Sequence, residues 1–216
     1  MIFENWVKSI FARPTADDRW QWDIDVDIEE PVKDECAAFI TKLFREREHL
    51  ENYLDAQVNN GLNYIINTAF SNHMLVLYDQ SVPLETRLEC LSSFENLFSG
   101  YLAEHCSASL SHLDQQPCNA VNHVCYMWWD VIPLFGHPDD PSKKPLDQPI
   151  LELQKRILTI DSIACQESAL HGLGHWQCKY PKEVDAIIEE YLRKHKSSLS
   201  KELQTYASAA RLGCVN

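Results

Sequence analysis

Residues 166–177 read QESALHGLGHWQ and set Glu167, His171 and His175 at successive four-residue intervals. On a helix, residues at such intervals follow one another along one side. Imidazole nitrogens and a carboxylate are ligands that zinc or iron takes. Cys165 and Cys178 flank the row and could add a thiolate. No HExxH motif occurs, so the helix lacks the general base of a metallopeptidase. The same residues also fit a structural role, with His171 and His175 hydrogen-bonded to neighbouring helices and Glu167 in solvent. Gly172 and Gly174 lie between the histidines. Each glycine in a helix interior costs about 1 kcal/mol relative to alanine, so the pair requires a packing reason or a nearby helix end.

A second group is His123, Tyr126, Trp128, Trp129 and His137. Clustered aromatics with a few polar atoms can line a small-molecule pocket, and they equally well fill a core. Elsewhere the chemistry is thin. No GxSxG, GxGxxG or GxxxxGK occurs, so neither a nucleophile elbow nor a nucleotide cradle is indicated. No catalytic residue and no cofactor is assigned. Asp23, Asp25 and Asp27 have the alternation of a calcium loop, but the loop's glycine and its twelfth-position glutamate are missing.

The elements that must position these groups are helices. Residues 31–54 carry Cys36, Phe39, Ile40, Leu43, Phe44, Leu50 and Leu54 on one side and charged residues on the other. The same grammar covers 59–79, 83–105, 117–135, 150–160, 162–176, 181–195 and 199–212. Pro31, Pro83, Pro117, Pro149 and Pro181 stand at or near helix starts, where the missing N–H costs nothing. Ser81 is a candidate cap for the third of these runs. The 117–135 run is apolar nearly all round, which predicts a central helix. Two stretches break the pattern. Residues 13–30 form an irregular acidic segment pinned by Trp20 and Trp22, and residues 136–149 form a proline-rich loop joining helices within one domain, 1–216.

Composition narrows the function classes. Nineteen basic against 32 acidic residues give a net charge of −13, with no Lys/Arg cluster long enough to displace counterions from nucleic acid. No apolar run approaches the ~20 residues of a membrane span. The first residues, MIFENWVKSIFARP, lack the features of a signal peptide. Eight cysteines without CxxC and without a secretory signal predict reduced thiols in the cytoplasm, mostly acting as small apolar side chains.

The four later helix-opening prolines are spaced by 34, 32 and 32 residues, a period in the range of helix-pair repeats. Residues 163–195 resemble a HEAT repeat of the phycobilisome-lyase-like type. Ala164, Ala169, Leu170, Leu173 and Gly174 match its first helix, Pro181 its turn, and Val184, Ile187, Ile188 and Leu192 its second helix. Residues 199–213 look like the start of a further unit, with Ala207, Ala210, Leu212 and Gly213. The turn departs from the pattern at Trp176–Lys179, where aspartate is usual. The resemblance implies an all-α superhelix of antiparallel helix pairs in which glycine lets backbones approach. A few relatives in the wider group are enzymes, among them lyases for bilin attachment and a di-iron hydroxylase that uses His-Glu pairs, and no His-Glu dipeptide occurs in this chain. The expectation is a non-enzymatic scaffold presenting an acidic concave surface to a protein partner. One specific form is an immunity or inhibitor protein for a basic toxin such as a nuclease. The rival expectation is a metal- or small-molecule-binding protein or enzyme using the aromatic and histidine groups.

Overall fold

A computed structural model of the chain describes all residues except 15–17, 23–27, 29, 196 and 216, and the backbone alone of 18 and 19. The described residues form ten α-helices joined by short 3-10 turns, with no strand among them. The helices are α1 (Phe3–Phe11), α2 (Lys33–Arg45), α3 (Asp55–Ile66), α4 (Leu84–Leu97), α5 (Ala103–His105), α6 (Val121–Val131), α7 (Asp147–Ile157), α8 (Ile163–Trp176), α9 (Pro181–His195) and α10 (Lys201–Ala210). A π-turn over Phe98–Leu102 joins α4 to α5, so the predicted 83–105 run is helical from Leu84 to His105.

Several boundaries differ from expectation, and local side chains explain two of them. The 59–79 run stops at Ile66, because Asn67 leaves the helical region and its Oδ1 accepts from Ala69 N at 2.9 Å. An asparagine that satisfies nearby backbone in this way competes with helix. Ser81 does not cap α4; its N–H and hydroxyl both donate to Asp79 Oδ1, at 2.8 and 2.6 Å. The 31–54 run ends at Arg45, where Glu46 leaves helical dihedrals and a 3-10 turn over Arg47–His49 follows. In the 117–135 run only Val121–Val131 is α-helical. In 136–149, a 3-10 turn over Lys144–Leu146 leads directly into α7, and the buried Asp147 accepts from His137 N at 2.8 Å and from the Tyr180 hydroxyl. In 13–30, Trp20 and Ile28 are buried whereas Trp22 is exposed against Phe70. Asp23, Asp25 and Asp27 lie outside the described residues.

Packing follows alternation along the chain. α1 packs on α3, α3 on α6, α6 on α8 and α8 on α10. In a second row α2 packs on α4, α4 on α7 and α7 on α9. Apolar side chains from both rows join one buried cluster that includes Phe44, Phe94, Phe98, Trp128 and Trp129. No helix among the described residues is long and apolar enough to cross a membrane.

The two glycines of α8 have distinct neighbours. A Cβ at Gly172 would fall 2.5 Å from Trp129 Cγ, and one at Gly174 would fall 2.3 Å from Val215 Cγ1. Both glycines therefore make room for a side chain of another segment. The expected reason, close approach of backbones, is replaced by this one. Trp129 is only 1% exposed, so the indole has nowhere to retreat.

Candidate metal centre

Ser162 opens α8 by accepting from Cys165 N, and eleven of the helix's fourteen residues are buried among its neighbours. The seating of Trp129 over Gly172 fixes how α8 lies against α6. That contact brings the last turn of α6, with Asp130, beside the face of α8 that carries His171 and His175. His171 Nε2 lies 2.7 Å from Asp130 Oδ2, and His175 Nε2 lies 2.6 Å from Asp130 Oδ1. The two Nε2 atoms are 3.1 Å apart.

These donor atoms converge on one point, all within 4.8 Å of one another. At a metal–nitrogen distance of about 2.1 Å, neighbouring ligands lie roughly 3.0–3.4 Å apart. The two imidazole nitrogens, 3.1 Å apart, match that spacing, and each lies 2.6–2.7 Å from a different oxygen of the Asp130 carboxylate. Two imidazoles and one carboxylate form the facial set used by mononuclear transition-metal sites with open coordination positions. Magnesium and calcium, which favour all-oxygen shells, fit less well. His171 is 4% exposed, while Asp130 and His175 are 26% and 31% exposed, so one side of the triangle is reachable from solvent. Burial pushes the Asp130 carboxyl upward, but the bonds from His171 and His175 outweigh it and hold it well below the usual carboxylate range.

Glu167 does not belong to this set. Along a helix, residues 167 and 175 are separated by a rise of about 12 Å, too far for both to reach one ion. The fully buried Glu167 instead accepts from Ser111 N at 2.9 Å and His112 N at 3.0 Å, and its Oε1 lies 2.5 Å from His112 Nδ1. This pins the Ser111–Leu113 turn to α8. Neither flanking thiol joins either. Cys165 Sγ points to Phe98 O at 3.5 Å and Cys178 Sγ to His175 O at 3.7 Å.

A second layer surrounds His171. Its Nδ1 lies 2.6 Å from the Tyr206 hydroxyl of α10, which lies 3.4 Å from the Tyr126 hydroxyl of α6. The His112 ring stacks on Tyr206 with centroids 4.1 Å apart and planes at 18°. Burial, then contact with Tyr126, pushes the Tyr206 phenol well above its ordinary range.

The second predicted group does not form one pocket. Trp128 and Trp129 are core residues. His123 is exposed. His137 meets Tyr78 edge-on, with centroids 5.4 Å apart. Only Tyr126 borders the metal-type cluster, with its ring 4.5 Å from that of His171. Asp130 is absent from the expected ligands although a signal exists: it is the sole Asp, Glu, Lys or Arg in the mostly apolar α6, VNHVCYMWWDV. Tyr206 and His112 carried no such mark.

Comparison with family models, with curated proteins and with solved structures finds no significant match to this chain.

Proposed function

We propose that this protein holds one divalent transition-metal ion through Asp130, His171 and His175. The observation that carries the reading is the convergence of three donor atoms from α6 and α8 within 4.8 Å. Zinc, iron or cobalt suits two imidazoles and a carboxylate. Three protein ligands leave room for water or a substrate atom, which the ion would polarise as a Lewis acid. The test is metal analysis of the purified chain, followed by titration of the metal-free protein with Co(II) and Zn(II). One bound equivalent per chain is expected, with ligand-field bands for cobalt that Asp130→Ala abolishes. A folded protein that takes up no stoichiometric metal and whose melting temperature zinc does not move overturns the reading.

A second reading concerns the scaffold, and the alternating two-row packing favours it. We infer a short α-α superhelix of HEAT type whose acidic concave face binds a basic protein, in one form a toxin that it neutralises. The net charge of −13 would speed encounter with such a partner and make binding sensitive to salt. Pulldown against basic nucleases at low and high salt tests it. Binding that does not weaken with salt, or no binding, removes the electrostatic basis.

A further inference from the structure

The His171 ring is held from both ends by groups with different abilities. Asp130 Oδ2, 2.7 Å from Nε2, only accepts as a carboxylate; the Tyr206 hydroxyl, 2.6 Å from Nδ1, can donate or accept. A neutral imidazole carries one N–H. Without an ion, Nε2 faces the carboxylate, so the hydrogen belongs on Nε2 and Nδ1 accepts from the Tyr206 O–H. An ion takes the Nε2 lone pair, so the hydrogen must then sit on Nδ1 and point at the Tyr206 oxygen. One hydrogen leaves Nε2 for solvent and one reaches Nδ1 from solvent, so the ring releases no net proton. The phenolic hydrogen needs a new acceptor, and the Tyr126 oxygen is 3.4 Å away.

We propose that Tyr206 is a positioning residue for the metal centre that reverses its hydrogen bond to His171 when the ion binds, its O–H turning to donate to the Tyr126 oxygen. The loaded half of this inference rests on the metal reading above; the metal-free half does not. A backbone carbonyl or carboxylate in the place of Tyr206 could only accept, and would fix the metal-ready tautomer permanently. The hydroxyl satisfies His171 in both states. The phenol is kept in place by its neighbours: Tyr206 is 5% exposed and His112 lies stacked on it, itself tied to Glu167. Glu167 thus reaches the ligands at two removes, through His112 and Tyr206.

The experiment is long-range 15N NMR of the imidazoles in the full chain at neutral pH, metal-free and zinc-loaded, for wild type, Tyr206→Phe and Tyr126→Phe. Metal-free wild type should show His171 with its hydrogen on Nε2, and zinc should move it to Nδ1. Tyr206→Phe should weaken zinc binding about 10–100-fold, the range for loss of an outer-shell partner, and Tyr126→Phe should weaken it less. Hydrogen on Nδ1, or on both nitrogens, in the metal-free wild type overturns the proposal. So does unchanged zinc affinity in Tyr206→Phe. If that variant unfolds, the wild-type tautomers alone decide. A wild type that binds no zinc removes the metal reading itself, a result distinct from zinc binding without a tautomer change.

Discussion

Asp55 and Asp130 each sit beside imidazole and phenol groups, yet the two clusters are built for different ends. Asp55, the first residue of α3, is saturated by unlike donors. Its Oδ1 takes the Tyr101 hydroxyl at 2.9 Å and lies 2.8 Å from His105 Nδ1, while Oδ2 takes Asn119 Nδ2 at 2.7 Å. Tyr101 and His105 stack, with centroids 4.0 Å apart. Burial pushes the Asp55 carboxyl upward, but the bonds from Asn119, His105 and Tyr101 prevail and lower it. This is a latch between α3, the end of the α4–α5 run and the approach to α6. Among the described residues, Asp130 has only two imidazole nitrogens on its oxygens, and those nitrogens face each other as well. A latch spreads its donors around a carboxylate, whereas Asp130 gathers potential ligands at one point.

The sharpest way to break this contrast is to remove one imidazole from each cluster. His171→Ala should lose zinc by more than the ~10–100-fold expected for an outer-shell change, and His105→Ala should leave zinc binding intact; equilibrium dialysis reads both. Equal losses would make the two clusters equivalent.

A ring in neither cluster supplies the baseline for a buried imidazole. His73 accepts from Trp6 Nε1 at 3.0 Å, and burial, partly opposed by Glu30, pushes it down to about 4. The unfolded chain therefore takes the proton first, at its ordinary value near 6.5. Stability from this group is complete above about 6.5 and is lost as pH falls toward about 4, by an amount on the order of 3 kcal/mol. Urea unfolding from pH 7 to pH 4 should show the decline, and His73→Gln should flatten it.

Gly172→Ala tests the contact that aligns the Asp130 cluster. Overpacking against Trp129 should cost about 1–3 kcal/mol, more than the ~1 kcal/mol that alanine adds to helix propensity. A more stable variant in thermal unfolding would show that the Trp129 seat is not needed. The smallest effect is expected at the latch. Asp55→Asn keeps one acceptor oxygen, so stability should fall by about 1 kcal/mol with zinc affinity unchanged.

Much of the helical layout was legible because apolar periodicity is a local property. The 162–176 and 181–195 runs correspond to α8 and α9 within one residue. The misplaced ends fell at Asn67 and Ser81, where a side chain satisfies nearby backbone. Such bonds leave no trace in hydrophobic spacing. The candidate site was half legible. His171 and His175 could be paired because one helical turn separates them.

By itself, then, the sequence determined the all-helical character and the neighbouring positions of two imidazoles, since both follow from the repeat of a single helix. Tertiary structure decided the rest of the site. Asp130, 41 positions before His171, arrives only because Trp129 seats against Gly172, and Glu167 departs because eight residues of helix carry it out of reach. Tyr206 comes from a third helix on the same terms. Spacing along one helix is set by backbone geometry, but the meeting of helices is set by which side chains can fill the space between them.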